Sequence, residues 1–165
     1  MDDFFNRKND TASVKNNTSE LAEYCINQEK YLEALIILKN ITQEDRPDIF
    51  FNTALCYINA ENYEMALTYL LKALPAVKKY TPALPDVFKK NLPEYVKMRI
   101  AQIDNKMYTK PMSLDYIKKF TEITKENITL NLIDIYLKLG LADKAEGLLN
   151  ALTGEEFTEY KRERS

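Results

Sequence analysis

The chain has 165 residues, 45% apolar and 29% charged, with 23 basic against 25 acidic side chains; that is enough for one domain with a real core, and it lacks the basic surplus a nucleic-acid binder needs. It holds no histidine, three glycines and two cysteines, which removes Ser-His and Cys-His nucleophiles, most zinc sites and any glycine-rich phosphate loop, so we expect no catalysis, no cofactor and no metal. No run approaches the length of a membrane span, and "MDDFFNRKND" has no hydrophobic signal core, so a cytoplasmic protein without a membrane partner is expected.

Residues 1–16 are polar and aperiodic and read as a flexible tail, in which Phe4 and Phe5 stand out as groups able to dock. Helical pattern starts at Asn17, an N-cap with Glu20 three residues on, and Leu21, Ala22, Cys25 and Ile26 make one apolar stripe. "NQEK" breaks it and "YLEALIILKNI" forms a second helix. "QEDRPD" then turns the chain, with Pro47 placed for a first helical turn. A third helix spans Ile49 to Ile58, and a fourth runs from Tyr63 to about Leu74, with a kink expected at Pro75 and an end by Thr81.

Asn91, Pro93 and Glu94 open a fifth helix whose Val96, Ile100, Ile103 and Met107 share a face. Ser113 caps a sixth, with Tyr116, Ile117, Phe120 and Ile123 turned inward. A seventh runs from about Ile128 to Leu139 and stops at Gly140; the eighth is Ala142 to Leu152. "EEFTEYKRER" reads as a last short capping helix and the basic end "YKRERS" as a solvated terminus. No window alternates as a strand would, so the chain is all-α, and Cys25 and Cys56, inside apolar pattern, are expected as buried thiols.

The sequence repeats itself. Ala22, Cys25, Tyr31, Ala34, Leu38 and Ile41 lie under Ala54, Tyr57, Tyr63, Ala66, Leu70 and Ala73 at a constant offset. A third copy reads Ile133, Tyr136, Ala142, Ala145, Leu149 and Leu152. Antiparallel helices approach closely only where side chains are small, and a hairpin this thin cannot bury both faces alone, so copies stack and share a core.

With these residues in view, "FFNTALCYINAENYEMALTYLLKAL" resembles the tetratricopeptide repeat (TPR) family, "LAEYCINQEKYLEALIILKNI" more loosely and "LIDIYLKLGLADKAEGLLNAL" in its second half. The family's Trp is absent, and Ala22, Ala54 and Ile133 stand where it carries Gly. The resemblance implies a right-handed α-α superhelix of about four helix pairs over 17–165, with a degenerate middle pair at about 85–125. It implies a non-catalytic adaptor that holds a protein or peptide segment in a concave groove lined by the first helix of each pair.

By that resemblance the groove presents Glu23, Ile26 and Asn27 from the first repeat. The second supplies Asp48, Phe51, Asn52, Leu55, Ile58 and Asn59, and the last Asn127, Leu130, Asn131, Asp134 and Lys138. Asparagine amides can both donate to and accept from an extended backbone. Helix termination explains Asn27 and Asn59 as well, and Phe51, Leu55 and Ile58 equally suit packing against the 85–125 segment. The family's basic cluster for a terminal carboxylate is missing, since Ser19, Phe51 and Leu55 occupy its places. Two narrower readings stay open: a small acidic chaperone of a bacterial secretion system, and a self-associating module forming a homodimer.

Overall fold

The computed structural model describes residues 18–42, 45–80 and 93–164. The tail with Phe4 and Phe5 and the expected caps Asn17 and Asn91 lie outside them. The described chain is all-helical. Its helices are α1 (18–27), α2 (Tyr31–Lys39), α3 (Pro47–Asn59), α4 (Tyr63–Val77), α5 (Pro93–Asp104), α6 (Leu114–Lys119), α7 (Thr121–Lys138), α8 (Ala142–Ala151) and α9 (Thr158–Arg162), with 3-10 turns at Met107–Thr109 and Glu155–Phe157. Among the described residues no helix is long and apolar enough to cross a membrane.

Three hairpins, α1–α2, α3–α4 and α7–α8, are closed by one and the same turn. Glu29, Glu61 and Gly140 occupy equivalent places and all have positive φ, 59°, 55° and 71°. After each, an amide reaches back to the carbonyl five residues before it: Lys30 N to Cys25 O, Asn62 N to Tyr57 O and Leu141 N to Tyr136 O, at 2.8, 2.9 and 2.8 Å. This left-handed termination satisfies orphan carbonyls at the end of the first helix and sends the chain back antiparallel. The alanines Ala34, Ala66 and Ala145 are each 0% exposed, as are Ala22, Ala54 and Ile133 on the opposing helices. Small residues at the crossing let the helices touch, and Leu38, Leu70 and Leu149 fill the space beside them.

The hairpins stack in sequence: α2 packs on α3 and α4 on α7. The third hairpin therefore lies directly against the second, and the described helices stack as three pairs where four were expected. Instead of forming an interposed pair, α5 packs on the two 3-10 turns, and α6 meets α3 and α7. The apolar face read through Val96, Ile100 and Ile103 breaks at Lys106, which is left-handed at φ 53°, and leaves Met107 exposed. The seventh helix starts earlier than its apolar pattern, because α6 ends at Phe120 and Thr121 at once begins α7, its hydroxyl donating to Ile117 O at 3.0 Å. Phe120 itself is exposed. Within α4 the chain continues through Pro75 to Val77, since Ala76 and Val77 are buried and packing outweighs the lost amide.

The carboxyl end departs from the solvated terminus expected of "YKRERS". Phe157 and Tyr160 are buried, and Lys161 Nζ donates to Leu152 O at 2.6 Å. Arg164 turns back onto α7 and covers the Tyr160 ring at 3.7 Å. An apolar aromatic surface shields the guanidinium's ion pair, and this is why the end is held.

Candidate functional site

The first helices of the second and third hairpins, α3 and α7, share a face that the chain's own segment from Lys106 to Met112 crosses. Asn52 on α3 pairs with main chain at both ends of its amide: Nδ2 donates to Met112 O at 3.1 Å and Oδ1 accepts from Met112 N at 3.0 Å. Asn131, at the equivalent place on α7, donates to Tyr108 O at 2.8 Å and to Asn127 O at 2.9 Å. Between them Lys110 is extended, with φ −87° and ψ 148°. One asparagine from each of two successive hairpins thus binds main chain of one segment, Asn131 at the 3-10 turn and Asn52 at Met112 beyond the extended Lys110.

Around this grip the face is tied down by charge. Arg99 of α5 is 2% exposed and reaches Glu126 Oε2 at 3.1 Å and Asn127 Oδ1 at 3.2 Å. Asp134 accepts from the Tyr108 hydroxyl at 2.6 Å and Arg164 Nε at 2.7 Å, and it shares the single Tyr160 hydroxyl hydrogen, at 3.0 Å, with Leu130 O at 2.9 Å. Burial, and after it the Asp134 carboxylate, push both phenols up, so they stay protonated and donate. On α3, Asp48 is paired with Arg46, whose Nε donates at 2.8 Å and which also reaches Ser19 of α1 at 3.3 Å.

The fourteen residues assigned to the groove divide sharply. Phe51, Asn52, Leu55, Asp48, Asn127, Leu130 and Asn131 are buried under the chain's own residues, as is Ile26. Glu23, Ile58 and Asp134 are half-buried, and Asn27, Asn59 and Lys138 are exposed. Asn59 donates to Leu55 O at 3.1 Å, a bond within its own helix. Glu23 is pushed up by burial and then by the nearby Asp48 and Glu20 carboxylates. The residues the sequence did not offer are Arg46, Arg99, Tyr108, Met112, Tyr160 and Arg164. Except for Arg46, which pairs with Asp48 two residues on, their partners are far away in the chain.

What stays open on this side is a cleft of about 420 Å³ beyond the end of the gripped segment. Ile58 and Tyr63 form one wall, Asn131, Asp134 and Lys138 the other, and Lys106 with Tyr108 closes it. Three of the groove residues that keep some exposure, Ile58, Asp134 and Lys138, therefore meet at one place, which the buried Asn131 also lines, with the exposed Lys106 and Lys138 on its rim. Elsewhere Cys25 and Cys56 are free and buried; burial, with Cys25 nearby, pushes the Cys56 thiol up to about 12, the opposite of what a nucleophile needs. Among the described residues no group of His, Cys, Asp and Glu could hold a metal ion. Comparison with protein-family models, with curated proteins and with solved structures finds no match.

Proposed function

We propose that this chain is a TPR-like, non-catalytic interaction scaffold that holds a segment of another protein on the inner side of its stacked hairpins. The observation that carries the reading is the pair Asn52 and Asn131, which stand at equivalent places and both bind main chain rather than side chain. A face that grips backbone in this way is suited to a protein segment of any sequence, with specificity left to the pockets beside it. Because Lys106 to Met112 already occupies the grip, the partner's place is the adjoining cleft between Ile58, Tyr63 and Lys138. Its volume lies within the ordinary range for a binding pocket, and it combines an apolar wall with a few polar groups. The raised pKa values of Cys56, Tyr108 and Tyr160 favour inert structural roles over catalysis.

The test is quantitative capture from native lysate by the wild-type chain and by Ile58→Asp and Lys138→Glu, with mass spectrometry of the bound proteins. Both side chains are at least partly exposed, so the variants should keep their helicity. Loss of the same protein from both variants supports the cleft; identical captures by all three chains contradict it.

A further inference from the structure

Away from the cleft, one buried charge is left without a partner. Glu156, in the 3-10 turn Glu155–Phe157, is 7% exposed, and among the described residues its carboxylate takes part in no hydrogen bond or ion pair. The buried Asp48, by contrast, is paired with Arg46. A buried ion is costly unless it is paired, so the bare carboxylate points to a cation that belongs beside it. Its place is made by Gly154, at φ 128°, where a β-carbon would overlap both carboxylate oxygens of Glu156. The glycine thus lets the acid fold back over the main chain, in a conformation that other residues rarely adopt.

Gly154 and Glu156 line a cavity of about 540 Å³ whose opposite wall is α5. Pro93, Val96 and Ile100 share one face of that helix and make the wall apolar, while the exposed Lys97 and Glu155 complete the lining. Two carboxylates against one ammonium leave the lining net negative, and Lys97 forms no ion pair with either of them. An apolar wall that ends at a bare carboxylate fits a cation carried on an apolar stem. A guanidinium fits better than an ammonium, because its fork matches two open oxygens and it is more weakly hydrated. We infer that this cavity binds an alkylguanidinium, with the fork on Glu156 and the stem along Val96 and Ile100. A free alkylguanidine and the arginine side chain of a partner protein both present that group. The cavity shares no lining residue with the cleft beside Lys138, and the inference does not depend on the function proposed there.

The probes are n-butylguanidinium chloride and the capped peptide acetyl-Gly-Arg-Gly-amide, each titrated into the full chain by calorimetry. Saturable binding is expected, and the probe that binds more tightly tells a free alkylguanidine from an arginine side chain. Affinity should fall at least about tenfold in Glu156→Gln. The melting temperature of that variant should equal or exceed the wild type, because an unpaired buried charge is gone. Affinity should rise about twofold or more in Lys97→Gln, which removes a like charge from an exposed position. No saturable binding of either probe, equal affinity in Glu156→Gln, or unchanged affinity in Lys97→Gln overturns the inference. Binding that appears only in Lys97→Gln overturns it too, by making the chain's own lysine the occupant.

Discussion

The Tyr108 hydroxyl meets the Asp134 carboxylate at 2.6 Å, joining the segment that crosses α3 and α7 to the helix beneath it. The same carboxylate holds Tyr160 and Arg164, so one side chain anchors both the crossing segment and the carboxyl end. Tyr108→Phe should cost about 1.5–3 kcal/mol, the range for a hydrogen bond to a charged group. Asp134→Ala should cost more, about 2–4 kcal/mol, because Tyr108 and the Arg164 guanidinium both lose the carboxylate, while Tyr160 keeps Leu130 O. Urea denaturation of the single and double variants checks this. The effects should be clearly non-additive, and simple additivity would show the two groups to be uncoupled.

Removing the amide of Asn52 strands both polar groups of a buried residue. Asn52→Ala should cost about 2–3 kcal/mol, and the Met112 amide should exchange its hydrogen faster than in the wild type. Asn52→Asp should be damaging as well, since an ionised carboxylate accepts from Met112 N but cannot donate to Met112 O. If exchange at Met112 is unchanged in Asn52→Ala, the grip is not what holds the segment.

The repeated turn makes opposite predictions at its three copies. All three positions have positive φ, where a side chain strains the backbone; Glu29 and Glu61 carry that strain and Gly140, with no side chain, escapes it. Glu29→Gly and Glu61→Gly should each stabilise by about 0.5–1 kcal/mol, the relief of strain being partly offset by the entropy of the unfolded glycine. Gly140→Ala should destabilise by about 1–2 kcal/mol, although nothing stands within 4 Å of the added carbon. Thermal melts suffice, and a stabilising Gly140→Ala would contradict the account.

The raised Glu23 carboxyl gives a pH signature. A folded-state pKa above the ordinary 4.5 means that the native state binds the proton more tightly than the unfolded one. The associated stability is present below that ordinary value and is lost as pH rises through the folded pKa. Glu23→Gln should therefore match the wild type in acid and exceed it at pH 7 by a few tenths of a kcal/mol, since the group is half-exposed and screened. A stability difference that stays flat from pH 4 to 7 would remove Glu23 from the linkage.

How much of this was legible beforehand depends on the range of each interaction. The hairpins could be read because Ala34, Ala66 and Ala145 recur with their tyrosines and leucines, and close helix crossing demands small residues locally. Gly140 announced its left-handed turn, whereas Glu29 and Glu61 adopt the same geometry with no compositional sign. Asn52 and Asn131 were among the residues the family resemblance implied for a groove, but their ligand was not legible, since Met112 is 60 residues from Asn52. Arg99 lies among the apolar residues of α5, and only Glu126 and Asn127 on another helix explain its burial. Arg164 looked like a solvated end because its partners, Asp134 and Tyr160, are brought to it by the fold.

The central claim, a partner segment seated in the cleft beside Lys138, is tested most directly by photo-cross-linking. Benzoylphenylalanine placed at Lys138, with a control at the exposed Glu64 on α4, would be irradiated in native lysate. The account predicts a discrete adduct from position 138 that is absent from position 64. No adduct at 138, or the same adduct from both positions, would contradict it.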